Sequence, residues 1–109
     1  NVSVEEDSQS IKDRKNLGAN GYLEVTILIT PKGNIHNNPI IAFKGLPIYE
    51  KDEFIYSLEE KIEKTTKTFK LGNKHQEHNL IDALKIACRK FTKEKTGKKP
   101  FTNINLVKI

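Results

Sequence analysis

From Tyr22 to Thr30 the side chains alternate one for one, with Leu23, Val25, Ile27 and Ile29 separated by Glu24, Thr26 and Leu28. Successive side chains of a strand point to opposite faces, so this spacing in β-branched residues writes a half-buried strand. One face of such a strand must be covered. The rest of the chain has to supply that cover.

Pro31-Lys32-Gly33-Asn34 has turn chemistry, with a glycine free to take positive φ. Ile40-Ile41-Ala42-Phe43 follows, bounded by Pro39 on one side and Gly45 and Pro47 on the other, and is expected to be a short strand antiparallel to the first. His36 falls in the connecting loop on this reading. From Asp52 the apolar period changes. Phe54, Ile55, Leu58, Ile62 and Phe69 share a helical face, with Asp52 as the expected amino-terminal cap and Leu71-Gly72-Asn73 as the break. A second helix carries Leu80, Ile81, Leu84, Ala87, Cys88 and Phe91, and Thr96-Gly97 and Pro100 end it. Ile104, Leu106, Val107 and Ile109 form a third strand, in which Asn103 and Asn105 share a face with Val107 and Ile109. The order strand, strand, helix, helix, strand predicts an α+β fold. Its form is a small three-stranded mixed sheet with two helices packed on one face.

The first twenty residues offer few apolar side chains, namely Val2, Val4, Ile11, Leu17 and Ala19. They cannot bury enough surface to offset the entropy of ordering them, so residues 1–20 are expected to be a linker and 21–109 the packed domain. A domain of that size buries only roughly 60–68% of its unfolded surface, and an oligomeric contact would help it. The chain has no methionine and opens on Asn1-Val2-Ser3, as a piece of a longer polypeptide would. A single cysteine, Cys88, rules out an internal disulfide and fits a reducing cytoplasm. No run approaches the roughly 20 apolar residues needed to span a membrane.

The polar residues form no catalytic constellation that the sequence makes legible. His75 and His78 are neighbours on a helix, yet a metal site needs three or four converging ligands, and Glu77 points elsewhere. No metal site is expected. Cys88 sits on an apolar stripe, where a thiol behaves as a small hydrophobe. Glu5-Glu6 and Glu59-Glu60 are merely adjacent and make no acid/base dyad. Gly18, Gly21 and Gly33 lack the lysine and helix start of a phosphate loop. No catalytic residue, cofactor or small-molecule ligand is therefore expected in these 109 residues.

Charge is more suggestive. The formal net charge is +5, and between Lys85 and Lys99 seven cations face Glu94 alone. Helix carboxy-termini and lysine-rich surfaces ordinarily carry such an excess, but it also suits a phosphate backbone. Tyr22, Phe43, Tyr49 and Tyr56 are possible stacking platforms for bases, although Phe43 lies in an apolar strand and the tyrosines do not interleave with the basic run.

Three stretches, in order, resemble the carboxy-terminal domain of bacterial ribonuclease J, a metallo-β-lactamase/β-CASP ribonuclease. The first is Ile11-Lys12-Asp13-Arg14-Lys15-Asn16-Leu17, followed by Gly21 and the strand Tyr22 to Thr30. The second is Asn38-Pro39-Ile40-Ile41-Ala42-Phe43-Lys44-Gly45-Leu46-Pro47. The third runs from Ala87-Cys88-Arg89-Lys90-Phe91 through Thr96-Gly97-Lys98-Lys99-Pro100 into the last strand. Lys98-Lys99 stands where that family often has arginines, and Asn105 interrupts a strand that is normally aliphatic.

The resemblance implies a linker arriving from an upstream catalytic domain, and a parent enzyme that degrades or matures RNA at a zinc centre. The metal-binding motifs of that family lie upstream, so none is carried onto His36, His75 or His78. It also implies self-assembly through this domain, giving a cytoplasmic homo-oligomer with no membrane partner. The competing expectation is an independent basic RNA-binding module. Its RNA-contact candidates are Arg14, Lys15, Arg89, Lys90, Lys93, Lys95, Lys98 and Lys99.

Overall fold

The computed structural model describes residues 20–71 and 73–109. The linker expected over residues 1–20 therefore lies almost wholly outside the described residues. Five elements follow in order: β1 (Tyr22–Ile29), β2 (Ile35–Lys44), α1 (Lys51–Thr66), α2 (Lys74–Thr96) and β3 (Phe101–Lys108). The sheet is mixed, in the order β2-β1-β3. β2 pairs antiparallel to β1, and β3 runs parallel to it from Tyr22↔Phe101 to Ile29↔Lys108. The three strands and two helices are the α+β arrangement that the periodicities predict.

The alternation in β1 does what its spacing demands. Leu23, Val25, Ile27 and Ile29 are buried, while Tyr22, Glu24, Thr26 and Leu28 face the other way and stay half-buried. Phe54, Leu58 and Ile62 of α1, Leu80, Leu84 and Cys88 of α2, and Ile104 of β3 complete one core. An aromatic run ties three elements together at its edge. Phe43 of β2 meets Phe54 edge-on at 5.7 Å, and Phe54 meets Phe91 at 5.6 Å.

Several local expectations need correction. The residue before α1 is Glu50, whose side chain caps nothing; Asp52 lies inside the first turn beside Glu53. There its charge still suits the positive end of the helix dipole. α1 ends at Thr66, so Phe69 belongs to the turn beyond it and packs against the core from there. Asn73, placed in the break, is the true cap of α2: its Oδ1 accepts from the Gln76 backbone N–H at 2.8 Å.

β2 has ten residues rather than the four of its apolar run. Between Thr26↔Ile40 and Leu28↔His36 the register shifts, which is a bulge around Asn37 at φ 61°. His36 is consequently a strand residue paired with Leu28, not a loop residue. A bulge breaks the alternation that would have revealed the longer strand.

The break in the aliphatic pattern at Asn105 does not interrupt β3, which pairs with β1 along all eight residues. Gly21 shows why a glycine must precede β1. Its φ is +84°, and a Cβ there would come within 2.9 Å of the carbonyl oxygens of Lys44 and Gly45 at the end of β2.

Candidate functional site

Both helices lie on one side of the sheet, so its opposite face carries no other described element. The register lays that face out in rows: Lys44, Tyr22 and Phe101; then Ala42, Glu24 and Asn103; then Ile40, Thr26 and Asn105; then His36, Leu28 and Val107. One end is aromatic, with Tyr22 and Phe101 stacked at 6.0 Å. The middle is polar. Asn103 Nδ2 donates to Glu24 Oε2 at 3.1 Å, and Asn105 Nδ2 donates to the same oxygen at 3.4 Å and to Thr26 Oγ1 at 3.3 Å.

These donors favour the ionised carboxylate. Asn103 first, then the Tyr22 hydroxyl and Asn105, hold the Glu24 pKa below its ordinary value. Burial, followed by the Glu24 hydrogen bond and charge, raises that of Tyr22. In the far row Leu28 lies between His36 and Val107, which is 41% exposed, and Ile40, 58% exposed, flanks Thr26 in the row before it.

A second surface lies on α2. Arg89, Lys90, Lys93 and Lys99 line a single depression of about 270 Å³ together with Ile86. Of the other basic candidates, Lys95 sits elsewhere, with Nζ 5.6 Å from the centre of the Phe91 ring, and Lys98 is half-buried. Arg14 and Lys15 lie outside the described residues.

The groups considered for catalysis are scattered. His75 and His78 are exposed, with His78 Nε2 3.7 Å from Asp82 Oδ2. His36 is exposed on the open sheet face. Among the described residues no three His, Cys, Asp or Glu side chains come together as metal ligands would. Cys88 is fully buried, and burial pushes its thiol up to about 12. Glu60 engages the Tyr56 hydroxyl and raises its pKa. A groove of about 400 Å³ between the β1–β2 turn and α1 is lined by Asn34, Asn37, Asn38, Glu59 and Glu63 among others. Glu63 there is paired with Lys67 at 3.3 Å.

Sequence reasoning identified the cations of α2 but missed Ile86, which lies off the buried stripe. It also missed the Glu24–Asn103–Asn105 network. Which strand lies beside β1, and in what register, is a long-range fact that no local pattern encodes.

These features define a small two-layer α+β domain with two open surfaces, one a sheet face and one a cation-lined helix face. The model of the Ribonuclease J C-terminal domain family matches residues 9–108. The chain belongs to that family and is an accessory domain of ribonuclease J type. The match begins inside the stretch read as linker. No curated protein matches the chain. Among the described residues no helix is long and apolar enough to cross a membrane.

Proposed function

We propose that this domain assembles copies of a cytoplasmic ribonuclease J-like enzyme, while RNA is cut at a zinc centre in another part of the parent protein. Its own residues supply no catalytic group. The observation that carries this reading is the uncovered sheet face, where Ile40 and Val107 are exposed and Leu28 is half-buried across two neighbouring rows. A small core gains most from covering such a patch. A second copy of the same face would do so in an isologous contact.

A three-stranded sheet about eight residues long spans a footprint of roughly 400 Å² at ordinary strand spacing. A stable interface takes about 800 Å² from each partner. Self-association through the isolated domain is therefore expected to be weak and concentration-dependent, with the parent adding contacts of its own. Sedimentation velocity from about 10 μM to about 1 mM should show a rising average mass, since micromolar to millimolar affinity corresponds to about 4–8 kcal/mol. Ile40→Glu should return the chain to monomer by stranding a charge in the contact. A strict monomer at the highest concentration counts against the reading.

A further inference from the structure

We propose that the depression on the solvent side of α2 grips the phosphate backbone of single-stranded RNA, by charge and without reading bases. RNA is the natural strand only if the chain works within a ribonuclease, so the choice of ligand rests on the function proposed above.

The site is assembled from two elements. Ile86, Arg89, Lys90 and Lys93 recur at three- and four-residue spacing along one side of α2, away from the buried stripe of Leu80, Leu84, Cys88 and Thr92. Lys99 joins them from the turn that follows, and that turn is held in place. Gly97 is left-handed at φ 80°, and its N–H donates to Lys93 O at 2.8 Å. Thr96 Oγ1 donates to Thr92 O at 2.7 Å and accepts from the Lys98 N–H at 3.1 Å. Pro100 is buried, and its carbonyl accepts from Thr102 Oγ1 at 3.1 Å. Lys99 thus sits between two anchored residues, so little backbone ordering remains to be done when a ligand arrives.

The charge has no internal use. Among the described residues the salt bridges involve Lys67, His78 and Lys108, and none of the four cations of the depression. The helix dipole accounts for cations in the last turn, such as Lys93, but not for Arg89 and Lys90 further back. All four charged groups are donors without an acceptor, the complement that phosphate oxygens require. Ile86, 70% exposed, adds an apolar floor against which a ribose or base can rest. The open sheet face lies on the other side of the sheet from α2, so assembly and RNA binding do not compete.

The test is fluorescence anisotropy of a labelled oligouridylate of about 20 nucleotides, titrated with the whole chain at several salt concentrations. Four phosphate contacts on a single strand give a slope of log K against log salt of about −2.8, or roughly a 50-fold loss between about 50 and about 200 mM. Lys90→Glu with Lys93→Glu should weaken binding at least about tenfold and shrink the slope to about −1.4. The matching oligodeoxythymidylate should bind about equally, because the sugar is not read.

The control pair, Lys61→Glu with Lys64→Glu on exposed α1 positions, makes the same change in net charge. An equal loss in the control overturns the proposal, as does absent RNA binding at low salt. Competition by polyglutamate as effective as that of RNA overturns it too, in favour of an acidic protein partner. Sedimentation of the unsubstituted chain separates the two readings. Self-association without RNA binding at low salt sinks this inference alone. RNA binding by a chain that stays monomeric sinks only the assembly reading.

Discussion

Cys88 behaves as a hydrophobe because its surroundings leave it no other chemistry. It has no exposed surface, and burial pushes its thiol up from 9.0 to about 12. The folded chain therefore holds the proton more tightly than the unfolded chain does. That preference adds stability which is complete below about pH 9 and is lost as pH rises toward about 12. Thermal unfolding should move to lower temperature across this alkaline window, and Cys88→Ala should flatten that part of the profile. A thiol reagent at mildly alkaline pH should label Cys88 only when the chain is unfolded. Rapid labelling of the native protein would show that the thiol is reachable after all.

At the level of the elements, each helix ends its inward stripe in the same way. Phe54, Leu58 and Ile62 lead to Thr66 in α1; Leu80, Leu84 and Cys88 lead to Thr92 in α2. The period was legible in the apolar members, but both threonines were left out because a hydroxyl counts as polar. A helix can absorb it: Thr66 Oγ1 donates to Ile62 O at 2.8 Å, one turn back. Thr92 differs, since its hydroxyl is buried with no partner among the described residues.

Thr92→Val, similar in shape, should therefore stabilise the domain by about 1 kcal/mol, whereas Thr66→Val should be neutral or costly. Urea midpoints for the two variants check the contrast. The rest of the fold was readable to different depths. β1 announced itself because one face is covered and the other is not. β2 beyond Ile40–Phe43 did not, because the bulge at Asn37 destroys the period and the outer residues of an edge strand are under no pressure to be apolar.

The whole molecule hangs on β1, which is central although it comes first among the described elements. Its antiparallel partner arrives after a short turn, while its parallel partner lies 79 residues further on, as the Glu24–Asn103 bond records. Lys108 Nζ also comes within 3.1 Å of Glu77 Oε2 at the start of α2, without the alignment of a hydrogen bond, so the far end of β3 is tied to a helix as well as to β1. The α2 cations were visible in sequence because a charge cluster on one helix is local. The sheet-face network, which joins residues 79 to 81 positions apart, was not. Removing residues 101–109 should leave a chain with no cooperative unfolding transition, because it bares an entire side of β1 and takes Ile104 from the core. A sharp melting curve for that truncated chain would contradict the topology.

The same topology has a consequence for biosynthesis. Until β3 has emerged from the ribosome, the central strand keeps one edge bare, a template for any extended segment nearby. Nascent copies on neighbouring ribosomes of one messenger are then at their most adhesive. The interval before β3 arrives, rather than the folded state, is when this domain most needs a chaperone.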